Sequence, residues 1–384
     1  MPTSEAFISA DVLRWARKRA NTTTDRIAKR LNVKPESVAS WESGNKRPSY
    51  RQAERLAETL HVPLTYLFLS TPPNERVPIA DFRTLDNGGL EESADLIDLL
   101  NDVLAKHSWY REYVEAEGHK ELSFVGSFAP DAPADDIASD IASTLEINDA
   151  FRSSCSNWQE FLSKLTDRVQ MVGVLVMRSG VVAGNTHRAI SPRVFRGFTV
   201  SDRLAPLIFI NSADFKAAQI FTLAHELSHV WIGKTGISNE NLEEPDPSEI
   251  EKKCDAVAAQ LLVPTNDFIE RWSLTRGNLG SLAQHYRVST LVVLRRARDL
   301  EQITGKQFKE LFAAERKKYT KPKEGGGNFY YTLLARNSAL FTNAVVSAVR
   351  EGRELYRDAA KLLNVSVNTI PKIAEFLATR PTSE

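Results

Sequence analysis

Cysteine is scarce in this 384-residue chain, which holds only Cys155 and Cys254. Two thiols cannot make a disulfide scaffold, and such sparing use fits a reducing cytosol as the expected compartment. The opening residues, MPTSEAFISA, show no basic stretch followed by an apolar core, so no secretory leader is expected. No apolar run reaches the roughly 18 residues a spanning helix needs, so no membrane partner is expected either. Net charge is missing too, with 49 Lys and Arg against 49 Asp and Glu. What remains is 42% hydrophobic and 26% charged, the composition of a soluble globular protein. At this length the chain is too long for one ordinary core, and two to four units are expected.

The zero net charge hides an asymmetry. Residues 1–70 carry twelve Lys and Arg against seven acids, a net +5, which leaves −5 for the rest. A small basic end on an acidic body suggests that the N-terminus meets a polyanion. This end reads as short helices: DVLRWARKRAN, then TTTDRIAKRLNV with Thr24 or a neighbouring Thr as cap, then KPESVASWESG. Pro35 suits a first helical turn and Gly44 a helix stop. SYRQAERLAETLHV and PLTYLFLS complete five helices, the second and third joined as in a helix-turn-helix.

The run IAKRLNVKPESVASWESGNKRPS, followed by AERLAETLHVPLTYL, resembles the Xre (Cro/cI-like) repressor domain over about sixty residues. That resemblance implies a double-stranded DNA partner, a promoter or operator, with the helix near 35–42 in the major groove. By position Lys34, Glu36, Ser37 and Ser40 could reach base edges, while Lys46 and Arg47 could hold phosphate. Trp41 is expected in the core. Such domains also serve as dimerisation or docking modules, and a homodimer stays open.

Farther along, TPPNERVPIADFRT reads as a proline-rich linker and ESADLIDLLNDVLAKHSWYREYVEAEG as a helix. Two amphipathic helices follow in 136–170. VGVLVM (172–177), VFRGFTV (194–200) and LIFIN (207–211) read as a small three-stranded sheet. Directly after it comes FTLAHELSHVWIG, with two imidazoles and a carboxylate inside an apolar helix.

His225 and His229 are four apart, so on a helix both rings face one way. Two neutral imidazoles so placed can chelate one zinc ion, and Glu226 sits beside them to take a proton from water. A catalytic site also needs a third protein ligand. EIEKKCDAVAAQLLVP supplies Glu251 and Asp255, again on one face, with Glu249 two positions off it. One carboxylate could bind metal while the other holds a histidine N–H. This resembles the gluzincin arrangement, which implies Glu251 as ligand and Asp255 as the orienting partner.

The wider stretch FRGFTVSDRLAPLIFINSADFKAAQIFTLAHELSHVWIG, with the helix ending AAQLLVP, resembles the ImmA/IrrE metallopeptidases from about 140 to 300. That implies a Zn2+ endopeptidase that cleaves Xre-type repressors in stress or mobile-element regulation. Cys254 stands where that family usually has a small Ala; its thiol is expected to pack as a small hydrophobe. His187 and Arg188, on a loop between strands, could polarise a carbonyl. His285 is expected to be exposed, and His61, His107 and His119 carry no constellation.

LGSLAQHYRVSTLVVLRRARDLEQIT (279–304) repeats the helix-turn-helix rhythm, and KYTKPKEGGGN is a glycine-rich break before a last helical unit. The expected class is an α+β multidomain chain: an all-α head, a gluzincin-like core with a three-stranded sheet, and helical C-terminal units. The expected divisions are 7–70 (DNA-binding head), 71–135 (connector), 136–270 (zinc metallopeptidase), 271–317 (second helix-turn-helix-like unit) and 325–384 (C-terminal helices). A protein substrate is expected to lie as an extended strand along LIFIN. The layout also resembles Xre–peptidase fusions encoded beside PIN-like ribonuclease toxins, which implies an antitoxin whose peptidase fold docks a partner. A structural zinc domain without catalysis is the third reading, against which Glu226 speaks.

Overall fold

A computed structural model describes residues 4–75, 94–192, 195–238, 248–317 and 327–379. Most of the proline-rich linker and most of the glycine-rich break lie outside these residues. The described residues form two compact units, one from the N-terminus to residue 98 and one from residue 99 onward. None of the described helices is long and apolar enough to cross a membrane.

In the head, α1 (Ala10–Arg19), α2 (Thr24–Leu31), α3 (Pro35–Glu42) and α4 (Tyr50–Leu60) precede a 3-10 turn, Leu64–Phe68. The α2 cap is Thr23, whose side chain accepts from the Arg26 amide, and Pro35 opens α3. Val12, Leu13, Ile27, Leu31, Val38, Leu56 and Leu60 form the core, and Trp41 is buried among them as expected. Glu42, beside it, receives Arg17 through Nε at 2.6 Å and Nη2 at 3.1 Å.

The larger unit takes α5 (Ala94–Ala116) from Leu99 on, then α6 (Ala134–Thr144), α7 (Asp149–Ser153), α8 (Trp158–Met171), β1 (Leu175–Ser179), β2 (Gly197–Val200) and β3 (Leu207–Asn211). Then come α9 (Lys216–Ile232), β4 (Gly236–Ser238), α10 (Glu249–Leu262), α11 (Thr265–Thr275), α12 (Leu279–Tyr286), α13 (Thr290–Asp299) and α14 (Gly305–Arg316). The last helices are α15 (Phe329–Asn337), α16 (Ala339–Arg350), α17 (Tyr356–Leu362) and α18 (Ile370–Thr379).

Among the described residues the sheet has four strands, ordered β1-β3-β2-β4, where three were expected. β4 is only three residues long and follows α9, too short to leave a periodic signal. β1 starts at Leu175 because α8 ends at Met171, with Val172 as its cap, and Gly173 turns the chain at φ 98°. β3 pairs parallel with β1 and antiparallel with β2, so both its edges are taken. That overturns the expectation of a substrate strand along LIFIN. The helix α9 is apolar nearly all round because it is buried all round: Ile220, Leu223, Ala224, Leu227, Val230 and Trp231 have no meaningful exposure. At its end Gly233 (φ 76°) lies against Gly126, where an added Cβ would come within 2.9 Å of the Gly126 Cα. Val125 and the α12–α13 residues Leu282, Tyr286 and Val293 join the same core as α9 and α10.

Four elbows among the described residues share one geometry. Asn32, His61, Arg287 and Asn364 are left-handed, at φ 56°, 55°, 56° and 53°. The following valines, Val33, Val62, Val288 and Val365, each donate to the carbonyl of an alanine five residues back, at 3.0, 3.0, 3.1 and 2.9 Å. This closure ends a helix while satisfying its last carbonyls, and it sets the turn to the next element. The elbow at Asn364, AAKLLNVS, resembles the AKRLNVK of the head in sequence as well.

Candidate metal centre

The site is built where α9 crosses α10. His225 and His229 lie one turn apart on α9 with ring centroids 5.0 Å apart, and both are fully buried. Their Nε2 atoms stand 3.1 Å apart. Opposite them Ser248 caps α10 and accepts from the Glu251 amide at 3.4 Å, which places Glu251 in the first turn. Glu251 Oε2 is 3.2 Å from His225 Nε2, and Oε1 is 3.2 Å from His229 Nε2. Burial alone would raise the Glu251 pKa, but hydrogen bonds from His225 and His229 outweigh it and hold the carboxyl at about 2. Burial pushes the His229 pKa below the usual imidazole range, which favours the neutral ring that a metal ligand needs.

His225 Nδ1 lies 3.0 Å from Asp255 Oδ1. With Asp255 ionised, Nδ1–H donates to it, and Nε2 faces the centre, where a metal would take the place of the proton shared with Glu251. Two imidazole nitrogens and a carboxylate thus form a triangle with edges of 3.1 to 3.2 Å. Donors about 2.0–2.1 Å from a tetrahedral ion stand roughly 3.3 Å apart, so these residues fit a zinc ion with little movement. Cys254 also faces the histidines, with its sulfur and one nitrogen of each ring within 4.8 Å of one another. The closer Glu251 oxygens are the better third donor. Burial pushes the Cys254 thiol well up, which suits a packed, protonated side chain.

Glu226 is fully buried beside this triangle, on a seat made by β2. Thr199 Oγ1 donates to Glu226 Oε2 at 2.7 Å. A Cβ at Gly197 would stand 2.5 Å from Glu226 Oε1, so the missing side chain leaves room for the carboxylate. Sequence reasoning found neither residue; the only hint was a Gly and a Thr interrupting the apolar GFTV. It also missed Arg295 of α13, whose Nη2 reaches Asp255 Oδ2 at 2.5 Å.

Other candidates are placed elsewhere. Glu249 is exposed and pairs with Lys252 at 2.9 Å. His187 is exposed, its amide bonded to Asn185, and Arg188 is half-buried with its backbone tied to Val182 and Asn185. His285, expected to be exposed, is half-buried, 3.5 Å from Asp267 and edge-on to Tyr286. His61 ends α4 in a left-handed conformation, and His107 is buried with Nε2 3.0 Å from the Ala205 carbonyl. In the head, Lys34, Glu36, Lys46 and Arg47 are exposed, whereas Ser37 and Ser40 are half-buried. The Arg47 guanidinium stacks 3.8 Å from the Phe7 ring centroid. Ala39, exposed one turn after Glu36, was overlooked and offers a methyl surface.

Residues 13–67 match a helix-turn-helix family profile, and residues 171–298 match the peptidase profile described as the IrrE N-terminal-like domain. The chain joins an Xre-like helix-turn-helix domain to an ImmA/IrrE-family domain. Residues 337–376 match a domain of unknown function that includes the elbow at Asn364. No curated protein matches the chain. The IrrE-like segment spans the whole sheet from β1, the motif helix α9, and the carboxylates of α10, so every member of the site falls inside it.

Proposed function

We propose that this chain is a DNA-binding regulator whose IrrE-like domain is a zinc-dependent endopeptidase acting on a regulatory protein. The observation that carries the reading is the buried triangle of His225, His229 and Glu251 with Glu226 seated beside it. On this reading residues 7–70 read an operator and 136–270 hold the reaction. Zinc, when bound, supplies the Lewis acidity that activates water and polarises a peptide carbonyl. His225 and His229 present Nε2 lone pairs, and Asp255 fixes the His225 tautomer. Glu226 takes the proton from water and hands it to the leaving amine, held in place by Thr199. The apolar shell of Leu223, Leu227 and Val230 keeps bulk water from diluting these interactions. β4, outermost among the described residues, offers its free edge to an extended substrate, one strand from Gly197 and Glu226.

Metal analysis of the purified protein should find about one zinc per chain, lost in His225→Ala and in Glu251→Ala. Glu226→Gln should keep its zinc while cleavage of an Xre-type repressor falls by about a hundred- to ten-thousand-fold. Equal cleavage by Glu226→Gln would remove Glu226 as the base. Equal protection of cells from a neighbouring toxin by this variant would make the domain a docking fold.

A further inference from the structure

We infer that Arg295 is a positioning residue for the metal centre, and that the second helix-turn-helix-like unit is a brace for that centre rather than a second DNA reader. The inference rests on the metal-binding reading of His225, His229 and Glu251.

α12 and α13 repeat the elbow of the head, and α13 is basic, as a reading helix would be. Two of its three arginines, however, turn into the protein. Arg295 donates to Asp255 at 2.5 Å, and its guanidinium lies 4.7 Å from the centroid of Phe221, one turn before His225 on α9. Arg296 is buried, donating from Nε to the Val263 carbonyl at 2.9 Å and from Nη2 to Gln260 at 2.6 Å and Thr265 at 2.7 Å. Arg298 stays exposed, 5.1 Å from the centroid of Phe308 on α14. A helix that reads DNA must keep such side chains outward for base edges and phosphate. Here Arg295 and Arg296 are committed to α9 and α10.

The commitment has a direction. Asp255 uses Oδ1 for His225 Nδ1 and Oδ2 for Arg295, so one carboxylate links the cation on α13 to the imidazole on α9. A carboxylate that accepts from a ligand histidine fixes ring orientation and tautomer, and removing such a partner typically weakens metal binding about 10- to 100-fold. Arg295 holds that carboxylate in register. Arg296 pins the other end of the same helix α10, which carries Glu251. Two arginines of α13 therefore set the position of the helix that supplies the third ligand and its neighbour.

The test is zinc affinity of the full chain, read by competition with a chromogenic chelator. Arg295→Met keeps the apolar stem over Phe221 and removes the charge, and should weaken zinc binding about tenfold. Arg295→Lys should restore most of the loss, and Arg298→Met should match wild type. The double variant Arg295→Met with Asp255→Asn should bind zinc no more weakly than Asp255→Asn alone, because Arg295 acts through Asp255. The visible bands of the cobalt-loaded protein should change in Arg295→Met, a response that a purely structural role would not give. Arg295→Gln carries the same measurements should Arg295→Met fail to fold. Unchanged zinc affinity in the folded variant, or full additivity with Asp255→Asn, overturns the inference while leaving the metal centre standing. If the wild type binds no zinc, or His225→Ala binds it equally well, the metal centre itself fails and the inference with it.

Discussion

Replacing Gly197 with alanine tests how the sheet and the candidate base depend on each other. The added methyl would stand 2.5 Å from Glu226 Oε1, 2.9 Å from Thr222 Cγ2 and 3.0 Å from the Phe209 carbonyl oxygen. The carbonyl belongs to β3, which is paired on both sides, and β2 is itself held between β3 and β4, so neither strand can yield cheaply. Overpacking of this kind costs about 1–3 kcal/mol. The softer escape is for Glu226 to swing away, which breaks the 2.7 Å bond from Thr199 and leaves a buried carboxylate poorly paired. Hydrogen bonds to charged groups contribute about 1.5–3 kcal/mol. Either route points to a loss of about 2–3 kcal/mol, read by urea denaturation followed by circular dichroism. Cleavage should fall further than stability, because the base is the group displaced. Gly305→Ala is the matched control: it opens α14, its Cβ meets nothing within 4 Å, and it should be neutral or slightly stabilising. If Gly197→Ala is as stable as wild type and still cleaves through Glu226, β2 does not seat the base.

Thr199→Val removes the donor to Glu226 at nearly constant volume and should destabilise by about 1–3 kcal/mol in the same denaturation assay. Glu42→Gln removes the charge and leaves one acceptor oxygen for Arg17 in place of two, beside the buried Trp41, and should cost the head about 2 kcal/mol. Its unfolding, followed by Trp41 fluorescence, should shift accordingly. Burial lowers the His107 pKa, so between that depressed value and the ordinary value of about 6.5 the unfolded chain binds more protons than the folded one. Stability should therefore fall as pH drops below about 6.5, and His107→Gln should flatten that slope in denaturation series. Arg47→Ala should weaken DNA binding alike on all sequences in salt-dependent retardation assays, whereas Ser37→Ala should change preference at one base.

The readable parts of the chain are those where cause and effect lie within one turn or one elbow. Thr23, Pro35 and Gly44 mark helix ends through local hydrogen bonds and φ preferences, and the left-handed Asn32 with Val33 makes the elbow within six residues. His225 and His229 share a face because a helix repeats every 3.6 residues. The same rule puts Glu251 and Asp255 together. β4 escaped notice because three residues carry no period, and β1 was misplaced by three because the end of α8 is decided by Gly173.

Sequence alone thus determined the helix-turn-helix head, the apolar helix α9, and which side chains on α9 and α10 point together, since all of these follow from backbone periodicity. Tertiary structure decided whether the two faces meet. It brought Glu251 within 3.2 Å of both imidazoles across 22 to 26 residues of chain, set Gly197 and Thr199 under Glu226, and turned Arg295 inward onto Asp255. Those contacts depend on how helices and strands pack, and packing is set by the whole buried surface at once rather than by any local pattern. α13 makes the difference plain. Its sequence is that of a basic reading helix, yet two of its three arginines, Arg295 and Arg296, find partners inside the protein, where a carboxylate and a carbonyl satisfy their guanidinium groups.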